Sequence, residues 1–253
     1  MEQEIQEQLT RIEQAEGVKI VLAIESGSRA WGFASPDSDY DVRFLYMRPG
    51  KQYLSIRDRK DVIELPVDEV LDINGWDIRK ALQLFLKSNS PLYEWLQSPI
   101  IYREDTGFAA ELRSLMNEYY SHRAGCHHYF SMTRNTFEQS LQTPEVKLKK
   151  YFYALRPLLA GLWILEKQTA PPMEFATLRT LISDSTWNIA VDDLLERKQA
   201  ADEKSLVAPV PYLQQWIATR LEAGMQRANQ LPPQQHTTEQ LDDIFRKYIS
   251  HEL

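Results

Sequence analysis

An almost unbroken apolar run near the start of the chain, VKIVLAIES (residues 18–26), constrains the fold more than any other feature of the sequence. Its apolar residues, several of them β-branched, occupy successive positions rather than alternate ones. This pattern is typical of a β-strand that is buried on both faces. The sequence therefore predicts that residues 18–26 form a strand inside a sheet whose two faces are both covered.

A helix is predicted before this strand and a second strand after it. Ile5, Leu9 and Ile12 recur at spacings of four and three residues, as in an amphipathic helix, and Gly17 is expected to end that helix. YDVRFLYM (residues 40–47) alternates as a strand does. The connecting GSRAWGFASPDSD has the composition of a loop with at most one short helical turn.

The character of the chain changes at about residue 104. DVIELP (61–66) and VDEVLDING (67–75) predict two more strands, and helical periodicity follows at WDIRKALQLFLKSNS (76–90) and PLYEWL (91–96). Beyond residue 104 only helical patterns remain, separated by turns that contain proline. The predicted fold class is α+β, with a first domain at residues 1–104 and an all-α domain at residues 105–253.

Length and composition limit the classes of function. A chain of 253 residues with 43% hydrophobic residues favours two domains. Its net charge of −7 provides no overall basic field, so a phosphate-rich partner must be met by a local patch. The single cysteine, Cys126, excludes an internal disulfide and a cysteine-based zinc site, and favours a cytoplasmic location. The sequence predicts neither a signal peptide nor a membrane-spanning helix.

Two aspartates stand where the second strand begins. Asp39 and Asp41 are one residue apart and therefore point the same way from a strand. Taken alone, such a pair is typical of a solvated turn and an edge strand. With the Gly27-Ser28 turn before it, the pair also suits nucleotide chemistry, because a divalent metal prefers carboxylate and phosphate oxygens and backbone N–H groups of a turn hold phosphates. A third carboxylate on a neighbouring strand would complete such a site.

The spacing carries a family resemblance. Gly27-Ser28, ten residues, then Asp39-Tyr40-Asp41 resembles the Gly-Ser-x10-Asp-x-Asp signature of the DNA polymerase β nucleotidyltransferase superfamily. GSRAWGFASPDSDYDVRFLY, with WDIRKALQLFLKSNSPLYEWL and KLKKYFYALRPLLAGLWI downstream, is similar to the RlaP or YcgL type of nucleotidyltransferase, a group named for a link to RNA repair. The resemblance covers roughly residues 18–165.

The resemblance implies a mixed sheet flanked by helices, two Mg²⁺ ions that Mn²⁺ can replace, and an NTP donor, with ATP the first expectation. It implies that Gly27 and Ser28 meet the triphosphate and that Asp39 and Asp41 bind metal. Asp72, within EVLDI, is the preferred third acid and would polarise the attacking hydroxyl. Asp77 lies in the same region but is expected to open the following helix. Glu64 and Glu69 are weaker alternatives.

Several basic side chains could contact phosphate, and for each there is a structural alternative. Arg29 and Arg43 either contact phosphate or pair with the aspartates. A second cluster is Lys147, Lys149, Lys150 and Arg156. Lys147, Lys150, Tyr151 and Ala154 share one helical face, which is either a solvated surface or a cationic face for the triphosphate or an RNA end.

Other reactive side chains are expected to be structural. Phe152, Leu155, Leu159 and Trp163 are predicted to belong to the core of the same helix. Cys126 is expected to be a small core residue. His122, His127 and His128 are expected to be partly buried or to contact substrate, since adjacent helical residues diverge by about 100°.

The predicted activity is Mg²⁺-dependent transfer of a nucleoside monophosphate from an NTP to an acceptor hydroxyl, with pyrophosphate leaving. The helical domain is expected to close the cleft for nucleotide and acceptor. The resemblance to an RNA-repair group suggests an RNA 3′ end as acceptor, while a protein or a small molecule stays open. A catalytically silent nucleotide-binding module is the alternative outside the enzymes.

Overall fold

A computed structural model describes residues 1–66, 70–105, 107–200, 202 and 205–250. The chain divides into two compact units. The first combines residues 1–27, 39–119 and 235–253, and the second combines residues 28–38 and 120–234. The chain thus passes between the units several times, whereas the sequence suggested one change near residue 104. The division at residue 104 into a catalytic and a helical domain stays a prediction.

The first unit is built on a mixed five-stranded sheet with the order β3-β4-β2-β1-β5. Strands β2 and β4 run parallel, and the other neighbours are antiparallel. β1 is buried at every position from Ile20 to Glu25, which confirms the prediction from its apolar run. The strands are β1 (Lys19–Glu25), β2 (Tyr40–Met47), β3 (Val62–Glu64), β4 (Leu71–Asp77) and β5 (Ile101–Glu104).

Helices cover this sheet. The predicted N-terminal helix is confirmed: Ile5, Leu9 and Ile12 are buried against the sheet core around Phe44. Gly17 ends the helix in the left-handed conformation, at φ 60°. The helices of this unit are α1 (Glu2–Glu16), α3 (Gly50–Tyr53), α4 (Ile78–Leu86), α5 (Ser90–Trp95), α6 (Phe108–Tyr119) and α12 (Glu239–Ser250).

β4 runs further than the sequence predicted. The strand was expected to end near Asn74-Gly75, yet it continues through Asp77, and helix α4 begins only at Ile78. Gly75 sits inside the strand because the ring of Phe44 on β2 packs where its side chain would be; a Cβ there would lie 2.3 Å from the ring. This glycine therefore marks close packing between neighbouring strands and not a turn. Strand β5 was not predicted from the sequence.

The second unit is mainly helical. Helices α7, α8 and α11 pack against one another. Phe130 fills the space left by two glycines, since a Cβ on Gly161 or Gly224 would lie 2.4 Å or 2.6 Å from its ring. The helices are α7 (His122–Ser140), α8 (Leu148–Lys167), α9 (Phe175–Arg179), α10 (Ser185–Ala200) and α11 (Pro211–Asn229), with a short strand pair β6 (Val146–Lys147) and β7 (Leu206–Val207). This strand pair is the departure from the predicted all-helical composition.

The segment between β1 and β2 contains the single short helix that the sequence allowed, α2 (Gly27–Trp31). Its later part belongs to the second unit because Phe33 packs there. The Phe33 ring stacks on Phe152 with centroids 5.1 Å apart and meets Phe175 edge-on at 5.7 Å. No helix in the part of the chain that the structure describes is long and apolar enough to cross a membrane.

Candidate functional site

Asp41 and Asp72 face each other across two parallel strands. They are register partners on β2 and β4. One Arg43 nitrogen, Nη2, lies 3.1 Å from Oδ1 of Asp41 and 2.6 Å from Oδ2 of Asp72. Nη1 of the same guanidinium donates to the carbonyl oxygen of Asp72 at 2.9 Å. A single arginine therefore holds two carboxylates in one place. Of the two interpretations of Arg43, the structure shows pairing with an aspartate of the motif, Asp41, together with Asp72.

Gly27 packs directly against the Asp41 carboxylate. Its φ is +60°, a conformation that favours glycine, and a Cβ at this position would lie 1.9 Å from Oδ2 of Asp41. The backbone N–H of the preceding Ser26 donates to the carbonyl oxygen of Asp41 at 2.8 Å. The first residue of the Gly-Ser turn and the last aspartate of the motif are thus in contact, and a side chain at residue 27 would displace the carboxylate.

Glu25 is a site residue that sequence reasoning missed. It is fully buried. Its Oε1 accepts from the backbone N–H of Asp41 at 2.9 Å, and its Oε2 accepts from the Tyr102 hydroxyl at 2.6 Å. Because a buried carboxylate needs partners, these bonds fix the start of β2 relative to the end of β1. The available signal was an acidic residue at the end of an otherwise apolar strand.

Asp39 is exposed and precedes β2, which begins at Tyr40. The structure places Asp41 and Asp72 together through Arg43. Among the described residues, no three histidine, cysteine or acidic side chains converge as a metal site. A pair of carboxylates nevertheless fits Mg²⁺, which takes one or two protein carboxylates and completes its shell with substrate phosphates and water. The assignment of Asp39, Asp41 and Asp72 as metal ligands stays a prediction.

Arg43 balances the two carboxylates. Arg43→Met is expected to lower the free energy of unfolding by about 1–3 kcal/mol in EDTA, because two acids are then left side by side without a cation. Added Mg²⁺ is expected to restore part of this loss. Thermal unfolding with and without Mg²⁺ measures both effects.

The matched control is Arg103→Met, because Arg103 pairs with a single carboxylate, that of Glu13, at 2.7 Å and is similarly shielded from solvent. Mg²⁺ should not restore this variant. An equal Mg²⁺ response of the two variants would show that Asp41 and Asp72 do not attract a cation.

Asp77 opens helix α4, as predicted. Its carboxylate accepts from the backbone N–H of Arg79 at 2.8 Å and from the Tyr53 hydroxyl at 2.9 Å. It lies at the opposite end of β4 from Asp72. Glu64 is exposed on β3. The remaining alternative, Glu69, lies outside the described residues. Of the alternatives within the described residues, Asp72 is the acid that the structure brings to Asp41.

Burial raises the pKa of Asp77, although the Arg79 N–H and the Tyr53 hydroxyl oppose this. The folded state therefore holds this proton more tightly than the unfolded chain does. The resulting stabilisation is present at low pH and is lost as pH rises through the folded pKa. Asp77→Asn keeps a side chain that caps helices well but cannot ionise.

The variant is therefore expected to become more stable relative to wild type on going from about pH 4 to about pH 7. Urea unfolding at the two pH values measures it. A variant that becomes relatively less stable at the higher pH would show that ionised Asp77 stabilises the fold.

The comparisons with known proteins agree with the motif. The family model described as "RlaP: RNA repair pathway DNA polymerase beta family" matches residues 1–247. The chain belongs to this RlaP family. A relative in Bacillus subtilis (strain 168), described as "Uncharacterized protein YcgL", is 48% identical over 232 residues, which are 91% of this chain and 89% of the relative. The predicted resemblance is therefore confirmed.

A solved structure described as a nucleotidyltransferase-like protein from Exiguobacterium sibiricum 255-15 is a more distant match. It is 16% identical to this chain, and the match covers 88% of this chain and 74% of the other, with a TM-score of 0.29. A TM-score of that size does not establish a shared fold. The predicted architecture is confirmed by the mixed sheet with its helices, by the helical region that follows and by the RlaP family match.

Ser28 and Arg29 of this RlaP family member lie on helix α2. Ser28 is buried. Nη2 of Arg29 donates to the carbonyl oxygen of Ser38 at 2.6 Å. This hydrogen bond joins the start and the end of the segment between Arg29 and Asp39. Contact of either side chain with a triphosphate stays a prediction.

The shared helical face predicted for Lys147, Lys150 and Tyr151 is wrong for Lys147, which lies on β6 before α8 begins at Leu148. Lys147 is exposed, and Nζ of Lys150 lies 5.6 Å from the ring centroid of Tyr153. Tyr151 is fully buried, and its hydroxyl accepts from the backbone N–H of Val210 at 2.7 Å. The buried Arg156 donates from Nε to the carbonyl oxygen of Met173 and lies over the Trp31 ring. Nucleotide binding by Lys147, Lys150 and Tyr151 stays a prediction, and within the second unit Tyr151 acts in packing.

The other side chains that were expected to be structural are mostly buried. Phe152, Leu155 and Leu159 are fully buried, which confirms them as core residues, while Trp163 is half-buried. Burial raises the pKa of the Cys126 thiol to about 12, and its Sγ contacts the carbonyl oxygen of Gly161. Cys126 is therefore a core residue, as predicted. Burial lowers the pKa of His122.

Proposed function

We propose that this RlaP family member is a Mg²⁺-dependent nucleotidyltransferase, which transfers a nucleoside monophosphate from an NTP, with ATP first, to an acceptor hydroxyl. One observation carries the proposal: the Asp41 carboxylate lies against Gly27 of the Gly-Ser turn and shares Arg43 with Asp72 on the next strand. These groups come from β2, from β4 and from the turn that follows β1, which supports the proposal. Family membership supports the same reaction class.

Each residue at the site has a role in this reaction. Asp41 and Asp72 would hold the metal, with Asp39 beside the start of β2 as a further ligand. A metal held there would neutralise triphosphate charge and lower the pKa of the acceptor hydroxyl. Arg43 compensates the charge of the two carboxylates when no cation is present. Glu25 positions the backbone of Asp41 through their 2.9 Å hydrogen bond.

The bond changes follow from in-line displacement. The acceptor oxygen forms a new bond to the α-phosphorus, and the bond from that phosphorus to the bridging oxygen breaks. Pyrophosphate leaves with the electron pair, and the acceptor proton passes to the carboxylate of Asp72. The residues of the chain act by positioning and by charge compensation, because phosphoryl chemistry of this kind needs no covalent step on the protein.

An RNA 3′ hydroxyl is the acceptor that we propose first, because the family description refers to an RNA repair pathway. A protein hydroxyl or a small molecule would place the same site in a different pathway. We also propose a cytoplasmic location, since Cys126 is a free, buried thiol and the proposed donor is ATP.

The test is a screen for pyrophosphate release with each of the four NTPs, in Mg²⁺, Mn²⁺ or EDTA. RNA, protein and metabolite fractions of a cell extract serve as acceptors. Metal-dependent release with the RNA fraction is expected. Release with another fraction alone would replace the acceptor but keep the reaction. Nucleotide binding without release in any fraction would identify a silent nucleotide-binding module and overturn the proposal.

A further inference from the structure

A cavity with more basic than acidic side chains lies at the opposite ends of β2 and β4 from Asp41 and Asp72, and one of its cations, Lys80, pairs with Asp61 at 3.0 Å. Its volume is about 260 Å³, and its lining includes Asp58, Asp61 and Asp77. Such a concentration of positive charge is unexpected in a chain with a net charge of −7. Cationic side chains outnumber the acidic ones here, which favours an anionic ligand. The six that line the cavity are Arg48, Arg57, Arg59, Lys60, Arg79 and Lys80.

Arg48 places a buried positive charge in this cavity, and one of its N–H groups lacks a hydrogen-bond partner. It is only 7% exposed. Its Nη1 and Nη2 reach Glu16 at the long distances of 3.4 Å and 3.8 Å. Among the described residues, its Nε has no hydrogen-bond partner, and neither has Oε1 of Gln52, which lines the same cavity. A buried donor without a partner is costly, and an anionic oxygen would satisfy it.

A largely apolar cavity of about 220 Å³, whose lining also includes Thr238 and Asp242, adjoins the first one between helices α4 and α12. Arg79 and Gln83 line both cavities. The Arg79 guanidinium lies 5.0 Å from the Tyr53 ring centroid and 5.1 Å from that of Phe245. Leu82, Leu86, Leu241 and Phe245 line the apolar side. The two cavities together suit a ligand with an anionic group at one end and a flat, largely apolar group at the other.

We propose that this pair of cavities binds a ribonucleotide unit, with its phosphate among the arginines and its base against Leu82 and Phe245. Phosphate can accept from Nε of Arg48 and pair with the exposed Arg57 and Arg59. A ribose hydroxyl can donate to Gln52, and the base has a face for aromatic contact. The unit comes either from an RNA strand or from a free nucleotide, which share this chemistry. Arg48 directly follows the end of β2, and the strand from Asp41 to Met47 spans roughly 20 Å, so this site is distinct from the proposed transfer site.

Binding is measured in EDTA, where the proposed metal-dependent transfer cannot take place. A negative result here would therefore overturn the binding proposal without bearing on nucleotidyl transfer. Fluorescence anisotropy of a labelled single-stranded RNA of about ten nucleotides is followed against salt concentration. AMP and inorganic phosphate are the competitors. RNA bound much more tightly than AMP identifies a strand as the ligand, and equal affinity identifies a free nucleotide.

The decisive variant is Arg57→Gln with Arg59→Gln, because both residues are exposed and the substitutions leave the core intact. It is expected to bind RNA at least about 10-fold more weakly, with a salt slope smaller by about 1.4. The control, Arg11→Gln with Arg246→Gln, removes the same charge from exposed helical positions of the same unit and should bind as wild type.

Arg48→Gln is expected to weaken binding by a similar factor. If this buried substitution prevents folding, the Arg57 and Arg59 variant still decides the question. The proposal is overturned if wild type binds neither RNA nor AMP below millimolar concentration. It is also overturned if the two double variants bind equally.

Discussion

Asp41→Asn is expected to lower the initial rate of nucleotidyl transfer by at least about 10³-fold at saturating Mg²⁺ and ATP. The substitution keeps the shape of the side chain and an oxygen acceptor for Arg43. It removes the negative charge that a divalent cation needs. Label transfer from ATP labelled at the α-phosphate measures the rate, and thermal unfolding shows whether the fold is retained.

The control for charge is Asp243→Asn on helix α12, where the aspartate is exposed and pairs with Arg246 along the same helix. This variant is expected to transfer label at the wild-type rate. If Asp41→Asn remains as active as Asp243→Asn, the carboxylate of Asp41 has no part in the reaction.

Gly27→Ala is expected to reduce both activity and stability. A methyl group at residue 27 would overlap Oδ2 of Asp41, which lies 1.9 Å from the position of the added carbon. Either the carboxylate moves away from its place beside Asp72 or the turn changes conformation. We expect a loss of transfer of at least about 10²-fold, because small displacements of reacting groups have costs of this size.

Gly17→Ala separates the overlap from backbone strain. Gly17 has the same φ of +60°, but nothing lies within 4 Å of an added Cβ. Both variants therefore have the cost of a left-handed residue, about 1–2 kcal/mol, and only Gly27→Ala adds the collision. We expect the free energy of unfolding of Gly27→Ala, measured with urea, to be about 1–3 kcal/mol lower than that of Gly17→Ala. Equal losses of stability and equal activities in the two variants would contradict the contact between Gly27 and Asp41.

Local sequence patterns were sufficient to predict several helices and strands around the motif. The unbroken apolar run identified β1 because burial on both faces leaves no polar alternation. The spacing of Ile5, Leu9 and Ile12 identified α1, and the position of Asp77 before a helical pattern identified the cap of α4. These features depend on residues within a few positions of each other, which is the range over which periodicity is informative.

The rest depends on contacts between distant segments. Gly75 resembled a turn residue because the sequence does not show that Phe44 packs over it. Arg43 allowed two interpretations until the strand register placed Asp72 opposite Asp41. Glu25 resembled the polar end of a strand, although Tyr102 and the N–H of Asp41 surround its carboxylate.

The basic cavity shows the same dependence on tertiary structure. Its cations come from the end of β2, from the segment at residues 57–60 and from the start of α4. In the sequence these are short, separate stretches, and the segment at residues 57–60 has the composition of a loop. Only the sheet brings them around one cavity, so a chain with negative net charge can contain a site of positive charge.

The most direct test of the central claim is transfer of label from ATP, labelled at its α-phosphate, to the fraction that supports pyrophosphate release. Wild type and the Asp41→Asn plus Asp72→Asn variant are compared in Mg²⁺ and in EDTA. We predict label on the acceptor only with wild type in Mg²⁺, with one pyrophosphate released per label transferred. Equal labelling by the folded double variant would contradict the assignment of Asp41 and Asp72 as the site of nucleotidyl transfer.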